Sequence, residues 1–238
     1  VLLSTLIGNS AMRAMVTERI EIEEIPATLD AVTNAIEKEI NVPLNISKAM
    51  AQNSFTNNWL GSGEPIETVE NIAEYLKVMR DSNKAITSFI VSGNTGNYYT
   101  AEGLSRTLDK NNDAWFYNFM DSGKPFSLDF DIDAELKKMA LFINYRTIDG
   151  QSVAGIGMSI DQVVALIRNY KVGEQGLVYL VNPEGKIQIH PDDTIEVGLS
   201  LDNHLKESLG EALLNKKEVN VVEATHDRHA FLAAKFSS

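Results

Sequence analysis

The sequence predicts an α/β chain of the α+β kind: a long N-terminal helix followed by two modules, each a central antiparallel sheet flanked by helices. Three observations carry this. Ile22, Ile25, Leu29, Val32, Ile36, Ile40 and Ile46 recur at three- and four-residue steps, the spacing of one helix face. From Ala85 onward, short segments rich in β-branched and aromatic residues are separated by Gly- and Asn-containing turns. The later half then repeats the strand, strand, helix, strand, strand order of the earlier half in outline, although the two halves do not match in sequence.

Taken in order, residues 11–58 read as helix, with Pro26 and Pro43 each expected to bend or break it, because proline removes a donor and clashes with the turn before it. "GSGEP" (61–65) is a turn, and residues 67–81 form a second amphipathic helix carrying Ile72, Leu76 and Met79. "AITSFIVS" (85–92) is a strand, and "GNTGNYY" (93–99) is a turn leading into another. "KPFSLDFDID" alternates apolar and acidic residues, as a strand with one wet face does. "MALFINYRTI" (139–148), "DGQ" and "VAGIGMSI" (153–160) form a hairpin of long strands, and "DQVVALIRNY" (161–170) is a helix. "GLVYLVNPEGKIQIHPD" (176–192) is a second hairpin with Asn182-Pro183-Glu184-Gly185 as its turn. Helix over 201–217 and strands over 218–224 and 229–238 complete the chain. The boundaries are 1–79 for the helical part, 80–170 for the first sheet module and 171–238 for the second. The second lacks the fifth strand such a sheet normally has, so a C-terminal truncation is expected.

Bulk properties exclude several functions. Of 238 residues 33 are acidic and 21 basic, a net charge of −12. The densest basic runs are pairs, Lys137 with Lys138 and Lys216 with Lys217, which argues against nucleic acid as a partner. There are no cysteines, so disulfides and thiolate metal sites are excluded. "VLLSTLIGNSAM" is apolar for only a few residues, against the roughly 20 that cross a bilayer. It reads either as the outer end of a membrane-crossing helix or as the start of an amphipathic one.

Enzymatic chemistry finds no support. His226 and His229 lie three apart without a third ligand at a recognised spacing, so no metal is expected, and His190 and His204 stand alone. Gly155 and Gly157 in "AGIGMS" lack the third glycine and the strand-then-helix context of a dinucleotide loop. They read as close packing within a strand. Asp129, Asp131 and Asp133, and the pair Asp192 and Asp193, read as wet strand faces rather than as acid–base pairs. No cofactor is expected.

"DAWFYNF" (113–119), "LFINYRTIDG" and "VAGIGMSID", in this order and spacing, resemble the distal module of the double Cache domain, the tandem PAS-like extracytoplasmic sensor region of bacterial transmembrane receptors. "GLVYLVNPEGKIQIHPD" is similar to the hairpin of that family's second module. The segment "EIPATLDAVTNAIEKEINVPLNISKAMAQNSFTNNWL" resembles the opening of sensor regions attached to diguanylate cyclases and chemoreceptors. The resemblance spans nearly the whole chain. It implies a periplasmic sensory domain anchored at the bacterial inner membrane. Residues 80–170 would be the membrane-distal ligand-binding module and 171–238 the proximal one, coupled to a cytoplasmic diguanylate cyclase, chemotaxis or histidine kinase output.

In that family a segment like "DAWFY" and the strands after it line the distal pocket. This carries onto Trp115, Phe116 or Tyr117, Asp131 and Asp133. Strand alternation adds Asn144 and Arg146, which share a face with Phe142, and Tyr99 completes the set. The departures bear on the ligand. The amino-acid-binding branch carries an arginine two residues before the Trp and an aspartate on the last long strand; here those positions are Asp113 and Gly157. A carboxylate at 113 disfavours an anionic ligand, so the expected ligand is a cation such as an amine, or a neutral polar metabolite. Arg146 leaves a carboxylate ligand open from another direction. Similarity to parallel dimeric receptors implies a homodimer through the N-terminal helix. Two rival readings are a module that binds a periplasmic binding protein and, less favoured, a secreted hydrolase.

Overall fold

The computed structural model describes residues 19, 23–132, 139–170, 177–182, 184–192, 194–206, 208, 210–214, 219–224 and 230–235. The opening apolar segment, Ile22, Asp133, Lys137, Lys138, Pro183, Asp193, Lys216, Lys217, His226 and His229 lie outside them.

The long helix, α1, spans Ile25–Gln52. It does not stop at either proline. Pro26 comes just after Glu23 and Glu24, whose backbone is π-helical, so it stands where the helical hydrogen-bond ladder is already displaced. Pro43 lies inside and is buried. The helix ends instead at Asn53, whose extended backbone (φ −71°, ψ 135°) and side chain, accepting from Phe55 N–H at 2.7 Å, cap the next helix, α2, Ser54–Gly61. A short 3-10 turn, Ile66–Thr68, leads into α3, Val69–Ser82.

One compact unit covers Lys38–Ile160. Its centre is a six-stranded antiparallel sheet in the order β3-β2-β1-β6-β5-β4, from β1 (Thr87–Val91), β2 (Asn97–Thr100), β3 (Gly103–Thr107), β4 (Phe126–Ile132), β5 (Met139–Arg146) and β6 (Val153–Ser159). β5 and β6 form the hairpin that the sequence predicts, in register from Ala140 opposite Ser159 to Arg146 opposite Val153. Period-two alternation sends Ile90, Tyr99, Ala154 and Ile156 to one face, where they pack with Met50, Ala51, Trp59, Leu60, Ile72 and Leu76 of the three helices. The other face carries Phe89, Val91 and Val153, covered by Phe116 and Phe119 of α4, Ala114–Asp121.

The turn at 61–65 is fastened by a buried carboxylate. Glu64 adopts a left-handed φ of 58°, which for a non-glycine costs about 1 kcal/mol. It receives hydrogen bonds from Tyr99 Oη at 2.6 Å, Thr95 Oγ1 at 2.9 Å and Asn97 Nδ2 at 3.1 Å. Burial pushes the Glu64 carboxyl up, but these bonds together with one from Ser92 hold it below its ordinary value. Burial and the bond to Glu64 push the Tyr99 phenol up to about 12.

The second unit comprises the described residues before Lys38 and from Asp161 onward. It contains α5 (Asp161–Asn169), the hairpin of β7 (Leu180–Val181) and β8 (Ile187–Ile189), α6 (Leu201–Leu205), α7 (Gly210–Leu213), and the antiparallel pair β9 (Val219–Ala224) and β10 (Ala230–Lys235). The β7–β8 turn closes as the sequence predicts. Gly185 N–H donates to the Asn182 carbonyl at 2.9 Å with Gly185 at φ 74°, and Asn182 Oδ1 accepts from Lys186 N–H at 2.8 Å.

Replacing Glu64 by Ala strands the Tyr99 hydroxyl, and the expected loss is about 1–3 kcal/mol in urea unfolding. Because the folded carboxyl lies below its ordinary value of 4.5, its contribution is present above that pH and disappears as pH falls through the lower folded value. Glu64→Gln is expected to remove that part of the acid limb; an acid limb identical to that of the wild type would contradict the assignment.

Candidate functional site

The aromatic segment is a helix, which the sequence reading had left unassigned. Phe116 and Phe119 of α4 point into the sheet, while Trp115 and Tyr117 are half-buried beside them. Trp115 meets Phe89 of β1 edge-on at 6.4 Å and Phe116 at 5.7 Å between ring centroids. Phe89 in turn stacks on Tyr98 at 5.5 Å and leans on Phe142 at 6.4 Å. Tyr117 lies edge-on to Phe116, with the Lys110 ammonium 5.8 Å from its ring centre.

Beneath these rings β6 presents Gly155 and Gly157. A β-carbon at Gly155 would sit 2.1 Å from the Ile143 carbonyl oxygen and 2.8 Å from Phe89 Cζ. One at Gly157 would meet Thr87 Cγ2 at 2.7 Å and Phe142 Cε1 at 3.1 Å. The two glycines let the Phe89 and Phe142 rings lie against the backbone, so the floor is aromatic and carries no polar group of its own.

The polar candidates divide sharply. Asp113 is buried and forms a paired-donor bridge with Arg106 of β3, at 2.6 and 2.7 Å. It also accepts from Asp109 N–H at 2.8 Å and from Trp115 Nε1 at 3.4 Å. Burial raises its carboxyl, and the Arg106 bonds and the Asp109 amide outweigh that and keep it ionised. The same bridge raises the Arg106 guanidinium, which also lies 4.7 Å above the Tyr98 ring. The repulsion of anions expected of Asp113 therefore fails. Its charge is already matched by a guanidinium that reaches it from another strand.

Arg146 is consumed in the same way. Its guanidinium binds the carbonyls of Phe119 and Met120 at the C-terminal end of α4, with Lys124 O a further acceptor, and lies 4.8 Å over the Phe119 ring. A cation on the last carbonyls of a helix is a cap, which accounts for this arginine without a ligand. Tyr99 faces away. β2 alternates, so Tyr98 joins Trp115 while Tyr99 lies on the helix-covered side with its hydroxyl on Glu64. The sheet separates it from the other candidates.

Asn144 and the β4 acids remain. Asn144 is 2% exposed and donates to Asp129 Oδ2 at 2.7 Å and to Ser127 Oγ at 3.2 Å, and Ser127 Oγ also donates to Asp129 at 2.7 Å. Asp129 pairs across the ladder with Phe142, and Asp131 with Ala140, so both carboxylates are on the Trp115 face. None of the ion pairs among the described residues involves Asp129. Arg106 on β3 and Asp129 on β4 stand at opposite sheet edges, roughly 24 Å apart at about 4.8 Å per strand, so one small molecule does not span both. The open depression against Glu74, Lys77 and Asp81 of α3 is separate from this face. Sequence reading missed Arg106 and Tyr98; the "YYTAEGLSR" spacing places them as neighbours only once β2 and β3 are known to pair.

In a double-mutant cycle, Arg106→Ala and Asp113→Asn are each expected to cost about 1–3 kcal/mol. The double variant should be little worse than either single one; strict additivity in urea unfolding would refute the bridge as the organising contact.

No family model matches the sequence. A methyl-accepting chemotaxis protein of Pseudomonas putida, McpG, is 24% identical over 171 residues, covering 67% of this chain and 27% of that protein, so the chain spans about a quarter of the relative. Among solved structures, the ligand-binding domain of the Pseudomonas fluorescens chemoreceptor CtaA in complex with L-isoleucine superposes with a TM-score of 0.64 at 16% identity, over 94% of this chain and 95% of that one. The Pseudomonas aeruginosa amino-acid chemoreceptor PctC in complex with GABA gives 0.62 at 19% identity over 83% and 85%. The sensor domain of the Vibrio cholerae histidine kinase DctB gives 0.51 at 14% identity over 64% and 61%. At these identities the likeness is one of fold: this chain has the Cache-type fold of bacterial ligand-binding sensor domains.

Proposed function

We propose that this chain is the extracytoplasmic sensory region of a bacterial membrane receptor, a binding module rather than an enzyme. It takes a small polar or cationic ligand on the Trp115 face of the six-stranded sheet. The observation that carries the reading is the layout of that face. An aromatic wall and floor (Trp115, Phe89, Phe142) stand over Gly155 and Gly157 of β6, with Asn144 and the carboxylates of Asp129 and Asp131 at the β4 edge. Small-molecule sites combine apolar walls with a few orienting polar groups in this way. The fold shared with sensor domains solved with L-isoleucine and GABA supports a metabolite-sized ligand.

Cationic character follows from which charges are already matched. Arg106 is bound to Asp113 and Arg146 caps α4, whereas among the described residues Asp129 accepts from the neutral donors Ser127 and Asn144. A ligand ammonium at the β4 edge would gain a carboxylate partner there and a ring face beside it, the latter worth roughly 0.5–2 kcal/mol. The signal would pass along α1 to a cytoplasmic output domain, with the receptor acting as a homodimer through α1, where Val42 is 64% exposed.

Thermal-shift screening of amines, quaternary ammonium compounds and simple carboxylates is expected to give stabilisation by cations. Trp115→Ala and Asp129→Asn should each weaken it at least several-fold. Stabilisation by carboxylates alone would sink the cationic reading, and no response to any small molecule would favour a protein partner instead. Sedimentation at rising concentration is expected to show self-association of the fragment, weakened by Val42→Glu; a strict monomer throughout would count against the dimer.

A further inference from the structure

The second unit contains a group of side chains that ligand sensing on the Trp115 face does not use. Tyr179 precedes β7, His190 follows β8 and His204 is on α6. Their three rings meet mutually, at 5.1 Å for Tyr179–His190, 5.5 Å for Tyr179–His204 and 5.1 Å for His190–His204. The phenol is buried, which pushes it up to about 12 and keeps it neutral. Asp192 offers its N–H at 3.0 Å and its carbonyl at 3.3 Å to the same His190 Nδ1. With the N–H donating, the His190 proton is on Nε2, which is buried and has no hydrogen-bond partner among the described residues. Two imidazoles thus meet each other and a neutral phenol ring in tilted and edge-on contacts, with no ion pair to either among the described residues.

The charged groups around this cluster are otherwise engaged. Arg168 of α5 donates to the Pro191 carbonyl at 2.9 Å. The Asp192 carboxylate is occupied by the Thr194 amide and hydroxyl at 2.9 and 2.7 Å, and that of Asp202 by Gly210 N–H at 2.7 Å. Lys206 follows α6 and adds positive charge on the same element.

We propose that His204, packed between Tyr179 and His190, makes the second unit acid-responsive: on acidification its ring gains a proton, and the packing of α6 on the β7–β8 hairpin weakens. Burial, and secondarily the neighbouring His190, hold the His204 imidazole below the ordinary histidine value. A histidine lowered in the folded state costs nothing while neutral. It withdraws stability as pH falls below the unfolded value of about 6.5, a window well above that of Glu64.

Histidine-ring NMR titration of the whole chain tests this, with the His204 signal identified by its disappearance in His204→Gln. Its midpoint is expected below 6.5, and the melting temperature of the wild type should drop by about 2–4 °C between pH 7.5 and pH 5.5. His204→Gln should abolish most of that drop. A His204 midpoint at or above the ordinary value, or an unchanged drop in the variant, overturns the proposal. Should His204→Gln fail to fold, His190→Gln decides: the His204 midpoint must rise when its neighbour is gone, and an unmoved midpoint is the refuting result.

Discussion

Strand β6 is the constraint on which the unit Lys38–Ile160 depends. It is hydrogen-bonded to β1 on one side and β5 on the other, and it is buried on both faces. Its alternation assigns Ala154, Ile156 and Met158 to the helices and Val153, Gly155 and Gly157 to the opposite side. The second set must be small, because the Ile143 carbonyl and the Phe89 ring already occupy the space a β-carbon at 155 would need. Phe89 can lie flat only because of that gap. Trp115 rests on Phe89, and through Phe116 and Phe119 the whole of α4 is placed by the same surface. A slip of one residue in β6 would exchange the faces and bury glycines against the helices.

Most charged groups near the aromatic wall maintain the architecture. Arg146 satisfies carbonyls at the end of α4, and Arg106 with Asp113 ties β3 to the start of that helix. On the other face Glu64 ties the turn after α2 to β2 through neutral donors, without a cation. Paired groups of this kind are costly to remove one at a time but add little affinity for a third party. The groups on this face not engaged in such pairs are the ring faces and the Ser127–Asp129–Asn144 network at the β4 edge. A carboxylate accepting from two neutral donors retains lone pairs for an incoming donor.

The strands other than β3, and the β5–β6 and β7–β8 turns, were legible because each depends on local periodicity and turn chemistry. The apolar and small residues of "MALFINYR" and "VAGIGMS" and the Asn182–Gly185 turn needed no tertiary knowledge. Neither proline ends α1: Pro26 comes just after the π-helical Glu23 and Glu24, Pro43 lies inside, and the break comes at Asn53, which caps α2. The roles of Asp113, Arg146 and Tyr99 were not legible for a different reason. Each depends on a partner remote in sequence or across the sheet, namely Arg106, the α4 carbonyls and Glu64. Alternation states that Tyr98 and Tyr99 face opposite ways, but not which of them faces Trp115.

Helix α1 belongs to both units, because its residues up to Glu37 group with one and those from Lys38 with the other. Its 28 residues span about 42 Å without an interruption in the backbone pattern. Within the unit Lys38–Ile160 its buried side is formed by Pro43, Ser47, Met50 and Ala51, and the Ser47 hydroxyl has no hydrogen-bond partner among the described residues. An apolar residue of similar size at 47 would avoid that loss, so packing alone does not account for serine there. Met50 and Ala51 share one buried cluster with Ala154 and Ile156 of β6, so the strand that carries the two glycines on the Trp115 face borders α1 on its other face.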